Sequence, residues 1–147
     1  TGVAFGAEAG FMVGSMTMFC SNVLFGQGPW TPWQVFAMGI MGLLAGVLFR
    51  KGILHRERFS LSIFGALVTF LIYGGIMNPA SALMWTHTLD LKVMLAYYIS
   101  GFPVDCVHAA ATAFFLWIAA ESMLEKLDRV KIKYGLGESL SKIVESD

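Results

Sequence analysis

Asp105 and His108 stand three residues apart in an otherwise apolar run. On a helix that spacing puts both side chains on one face. Ionisable groups at membrane depth are costly and usually face a cavity, where they can fix the polar edge of a ligand. Asp105 also follows Pro103 closely, and a carboxylate in a first helical turn is favoured by free backbone N–H groups, so a capping role stays open beside the binding one. Cys106 lies between them but faces another way, and no second His or Cys cluster has metal-ligand spacing, so no metal site is expected. A second polar set lies in the string Ser21-Asn22-Val23-Leu24-Phe25-Gly26-Gln27-Gly28-Pro29-Trp30-Thr31-Pro32-Trp33-Gln34. Its glycines and prolines fix a short, stiff loop. Trp collects at membrane interfaces in any case. Amides beside Trp in a rigid turn point further, to a ligand-facing role for part of this loop. A third set is Tyr73, Asn78, Trp85, His87 and Asp90, where a lone His such as His87 is more often a solvated loop residue than a ligand.

Catalytic constellations are absent. There is no Walker motif or Gly-rich phosphate loop, so the chain cannot drive itself with ATP. No His-Glu-x-x-His helix occurs, and Ser and His do not combine with a carboxylate in a hydrolase motif. A binding role, not an enzyme, is expected.

The elements that must position these groups follow from the composition. Of 147 residues, 56% are hydrophobic and 14% charged, against about 25% charged in an ordinary soluble domain. A soluble domain of this size could not hide so much apolar surface. Lys plus Arg and Asp plus Glu both count 10, so net charge gives no nucleic-acid signal. No charge falls between Glu8 and Arg50 or between Arg58 and Asp90, and only Asp105 interrupts the run from Lys92 to Glu121. A span needs about 20 mostly apolar residues. The expected architecture is an all-α membrane helical bundle with helices at about 9–25, 33–49, 59–77 and 103–120. Residues 91–99 form a shorter segment, separated from the last helix by a break at Ser100-Gly101-Phe102-Pro103. Arg50, Lys51, Arg56 and Arg58 in one link, and Lys126, Arg129, Lys131 and Lys133 in the tail, place both in the cytoplasm. The links at 26–32 and 78–92 fall outside.

Residues 1–6 read as the end of an earlier apolar helix, making the chain N-terminally truncated, with 7–9 as a tight cytoplasmic turn. A helix running straight through would put Glu8 in the bilayer, at about 2.5–3.5 kcal/mol on insertion scales. The division is a bundle over 1–134 and a polar, frayed cytoplasmic tail over 135–147. Small residues recur at helical spacing: Gly2, Gly6, Gly10 and Gly14, then Gly39, Gly42 and Gly46, then Ala109, Ala113 and Ala120. In lipid such faces let backbones approach. They serve contact within one bundle or docking on a partner, for which Gly6, Gly10, Gly14, Gly42, Gly46, Ala109 and Ala113 are the candidates. Cys20 and Cys106 are expected as buried thiols.

The Gly6–Gly14 spacing and the Gly-Gln-Gly-Pro-Trp-Thr-Pro-Trp-Gln string resemble the substrate-binding S components of energy-coupling factor (ECF) vitamin importers. Gly101-Phe102-Pro103-Val104-Asp105-Cys106-Val107-His108 resembles the start of that family's last helix, with Val104 where Phe is common. The resemblance runs from Thr1 to about Leu136. It implies a six-helix bundle in a prokaryotic plasma membrane, of which about four transmembrane helices are present, with the C-terminus cytoplasmic. It implies a transmembrane coupling subunit and two cytoplasmic ATPases as partners, which consume the ATP, and no permanently bound cofactor. The substrate would be a vitamin caught at the outer face, with the cobalamin or corrinoid-precursor branch favoured by the loop string. The residues it assigns to the ligand are Asn22, Gln27, Trp30, Trp33, Gln34, Asn78, Trp85, His87, Asp105 and His108. The alternative reading is a small oligomeric structural or channel protein.

Overall fold

The computed structural model describes residues 1–87 and 90–136. Those residues form helices and turns with no strand: α1 Gly2–Phe5, α2 Ala7–Phe25, α3 Thr31–Arg50, α4 Arg58–Val68, a π-helical turn Thr69–Tyr73, α5 Gly74–Thr86 and α6 Leu91–Lys133. Among them three helical rods are long and apolar enough to cross a membrane: Thr31–Arg50, Arg58–Thr86 and Leu91–Lys133. The 19-residue α2 lies antiparallel against α3. The all-α membrane bundle is therefore present.

Glycines hold α2 on α3. A methyl added at Gly10 would fall on the Gly42 carbonyl, one at Gly42 on the Gly10 carbonyl, one at Gly14 on the Met38 carbonyl, and one at Gly46 on the backbone of Ala7. Bare backbones in contact are what stripes of small residues permit where lipid offers no hydrophobic drive. These glycines thus meet inside the chain. Ala113 instead borders a shallow groove with Phe59, Ile63 and Trp117, and Ala109 is half-buried.

One end of the bundle collects the basic residues. Arg58 pairs with Glu121, and Arg56 with Asp128 at 3.2 Å. Arg50 reaches the Phe5 carbonyl, and Lys131 donates to the Ala4 carbonyl at 3.3 Å. Beneath them Phe49, Leu61 and Ala120 form a small core with Phe64 edge-on to Phe49. The link over 51–57 and the charged half of α6 therefore share one end. The turns at 26–30 and around His87 lie at the other.

Several boundaries differ from expectation, and the reasons are physical. The turn expected at 7–9 is made by Gly6 alone, whose φ of 108° only glycine adopts freely, so α2 begins at Ala7 and Glu8 sits exposed in its first turn. The helix expected to stop at 77 continues to Thr86 through Pro79. Pro79 has no N–H for the Gly75 carbonyl, and the Tyr98 hydroxyl donates to that carbonyl instead, at 3.1 Å. The outer link thereby shrinks from 78–92 to the turn after Thr86, of which residues 88–89 lie outside the described set. Residues 91–99 are not a separate segment, because α6 runs unbroken through Ser100-Gly101-Phe102-Pro103. Helices in apolar surroundings tolerate an internal proline when neighbours satisfy the freed groups. Asp105 therefore sits mid-helix and does not cap; Asp90 occupies the N-cap position. Cys20 and Cys106 are both exposed. A thiol is a small hydrophobe, and where the surrounding solvent is lipid the outer face suits it. Of the tail at 135–147, residues 137–147 lie outside the described residues.

Candidate functional site

The π-helical turn at Thr69–Tyr73 and the proline at 79 set up the second half of the α4–α5 rod. A π turn inserts one extra residue and rotates the rest of the helix about its axis, and such turns concentrate at functional sites. Beyond it, Tyr73, Met77, Ser81 and Trp85 recur every four residues and line one face. Across from them Tyr97, Gly101, Val104, Asp105 and His108 line the facing side of α6. Together with Asn78 and Ser100 they line an open cleft of about 380 Å³. That is the size of a small-molecule site, a few hundred cubic ångströms.

Within it Asn78 and Asp105 form a clamp. The Asn78 side-chain N–H group donates to Asp105 Oδ2 at 2.8 Å and to the Gly74 carbonyl at 2.9 Å. Asn78 is buried and Asp105 half-buried. Two glycines make room: a methyl at Gly101 would strike Asn78 Oδ1, and one at Gly74 would press on the Asp105 carboxylate. Bonds to a carboxylate are among the stronger hydrogen bonds, and their geometry holds the acceptor still. One turn further toward the basic end, the His108 ring meets the Tyr73 ring edge-on, with centroids 5.6 Å apart.

A hydrogen-bonded line feeds into Tyr73 from the other two helices. Asn22 of α2, buried, donates to Gln34 Oε1 of α3 at 3.0 Å, and Gln34 Nε2 donates to the Tyr73 hydroxyl at 3.1 Å. The candidates thus divide. Asn78, Trp85, Asp105 and His108 line the cleft directly, while Asn22 and Gln34 reach it through Tyr73. Trp30 covers Gly28 in the turn, and Gly28 N–H donates to Thr31 Oγ1 at 3.2 Å. Gln27 and Trp33 are exposed outside the cleft. His87 is exposed and ends α5 in the left-handed conformation, φ 56°. A wider hollow of about 460 Å³ between Leu48, Leu54, Phe64 and Leu67 offers almost no hydrogen bonding. Among the described residues no group of three or more His, Cys, Asp or Glu side chains is placed to hold a metal ion.

An amide-and-carboxylate clamp thus lies between aromatic side chains, inside a bundle whose large apolar side chains face outward. The family model for the ECF-type riboflavin transporter, S component, matches residues 1–121. The chain belongs to this family of S components. No curated protein and no solved structure matches it. An S component is a substrate-binding membrane subunit of a transporter and not an enzyme, and it works with a transmembrane coupling subunit and ATPases. This S component is accordingly a multi-pass protein of a prokaryotic membrane. Sequence reasoning about it missed Met77, Ser81, Tyr97, Ser100, Gly101 and Val104 as cleft residues. Their four-residue periodicity was visible, but which two helices face each other was not.

Proposed function

We propose that this S component captures a vitamin in the cleft between α5 and α6 and passes it inward with its coupling subunit and two ATPases. The observation that carries the reading is the Asn78–Asp105 clamp, with Trp85 and Tyr97 on its outer side and Tyr73 and His108 on its inner side. Aromatic faces stack on a flat ring, and the clamp fixes its polar edge. Riboflavin is the first ligand to test, because the family's description names it. The cobalamin-like ligand rests on the 26–34 loop string alone and forms the second arm. The basic end, with Arg50, Lys51, Arg56 and Arg58, faces the cytoplasm together with the C-terminus, so the cleft opens toward the outer side. No cofactor is held permanently, and ATP is consumed by the partner subunits. The bundle spans 1–134, and 135–147 is a cytoplasmic tail. The channel reading has less support, since the polar side chains gather at one end instead of along a pore.

The test is direct. Full-length protein in lipid nanodiscs is titrated, without ATP, with riboflavin, cobalamin, dimethylbenzimidazole, thiamine, biotin, folate and pyridoxine. One member binds tightly, and Asp105→Ala weakens it without preventing membrane insertion. Absence of binding across the panel refutes the reading.

A further inference from the structure

The Asn22–Gln34–Tyr73 line has a direction. Asn22 Nδ2 occupies Gln34 Oε1, so the Gln34 amide turns its N–H side to Tyr73. The Tyr73 oxygen therefore accepts, and its own proton is left to donate. Among the described residues no acceptor takes that proton, and Tyr73 lines the cleft. On the other side Asp105 accepts from Asn78 through Oδ2. An ionised carboxylate is acceptor-only and can take further donors. The empty space between them is thus bordered by one fixed donor and one fixed acceptor.

We propose that Gln34 is a positioning residue that presents the Tyr73 O–H as a donor, and that Tyr73 and Asp105 together select a ring edge carrying an acceptor beside an N–H or O–H donor, as in a lactam, an imide or an N–H azole. The proposal rests on the vitamin-binding reading above and deepens it. Gln34 touches no ligand; it acts by occupying the Tyr73 oxygen. The amide polarity of Gln34 matters more than its bulk.

Near-isosteric Gln34→Glu reverses that polarity. At pH 8 its carboxylate takes the Tyr73 proton, and the ligand loses its donor. Gln34→Leu deletes the bond but leaves the hydroxyl able to turn to the ligand. The experiment measures dissociation constants of Gln34→Glu, Gln34→Leu, Tyr73→Phe and the double variant Gln34→Glu/Tyr73→Phe with the seven-vitamin panel, alongside the melting temperature of each. The expected result is a loss of about tenfold for Gln34→Glu and for Tyr73→Phe, the worth of one hydrogen bond. Gln34→Leu loses less, and the double variant loses no more than Tyr73→Phe. A merely structural Gln34 gives the reverse order, with Leu worse than Glu in both affinity and melting, and overturns the proposal while the site stands. Unchanged affinity in Gln34→Glu also overturns it. If no vitamin binds the wild type, the site reading itself falls and takes the proposal with it.

Discussion

Gly101→Ala separates binding from folding at a single methyl group. In a helix interior the change from glycine to alanine favours folding by about 0.5–1 kcal/mol. The methyl, however, lands on Asn78 Oδ1. Asn78 is 8% exposed and held by two bonds, at 2.8 Å to Asp105 and 2.9 Å to the Gly74 carbonyl. It has little room, so it moves by giving up its hold on the carboxylate. A hydrogen bond to a charged group contributes about 1.5–3 kcal/mol. If the ligand reads the Asp105 position that the bond fixes, the loss in Kd is roughly tenfold to a hundredfold. The control is Gly75→Ala, on the facing rod that carries Asn78, where an added Cβ meets nothing within 4 Å. Both variants are reconstituted in nanodiscs, titrated with the panel vitamin that binds the wild type, and melted. Gly101→Ala loses affinity, its helix-propensity gain offsetting part of the stability lost with the bond; Gly75→Ala keeps affinity. Wild-type affinity in Gly101→Ala would refute the claim that Asn78 positions Asp105. An equal loss in both variants would show that the clamp has no special part in binding.

Gly42→Val drives a side chain onto the Gly10 carbonyl and should lower stability by about 1–3 kcal/mol, the usual range for overpacking, read as a lower unfolding midpoint in detergent. Trp85→Ala removes an aromatic wall of the cleft and should weaken vitamin binding about tenfold, comparable with the loss of one stacked aromatic contact. Arg56→Ala breaks an ion pair whose partners are about two-fifths exposed and should leave the unfolding midpoint within error, because exposed pairs contribute little. For orientation, Ile53→Cys should react with an impermeant maleimide only in inside-out vesicles and Gln27→Cys only in right-side-out ones; the opposite pattern would invert the topology.

The parts of the fold legible in the sequence are those whose physics is simple. Charge-free windows located α2 and α3 within two residues at each end, because a charge in lipid is too costly to be misplaced. Asp105 stood out for the same reason, as the one charge inside an apolar run, whereas Asn78 was expected in the outer link and lies inside α5. Pro79 and the Ser100–Pro103 stretch misled, because in water a freed carbonyl ends a helix, whereas here Tyr98 takes the Gly75 carbonyl. That rescue depends on which helix lies alongside, which local sequence does not encode. The same ignorance of facing hid Tyr97 and Gly101. The glycine stripes were legible as contact faces but not as contacts between α2 and α3. The cysteines were misplaced because the inside-out rule assumes water outside.

The unbroken α6 places Asp105 and the ion-paired Glu121 on one rod. At 1.5 Å per residue, the stretch from Asp105 to Lys133 is about 42 Å long. A tilt of about ten degrees pivoting at the cleft therefore swings the charged tip by roughly 7 Å. Such a rod is a lever arm: a ligand that shifts the helix slightly at one end produces, at the other, a displacement large enough for a partner to sense. Had the chain broken at Pro103, Tyr97 and Gly101 would have been uncoupled from that arm.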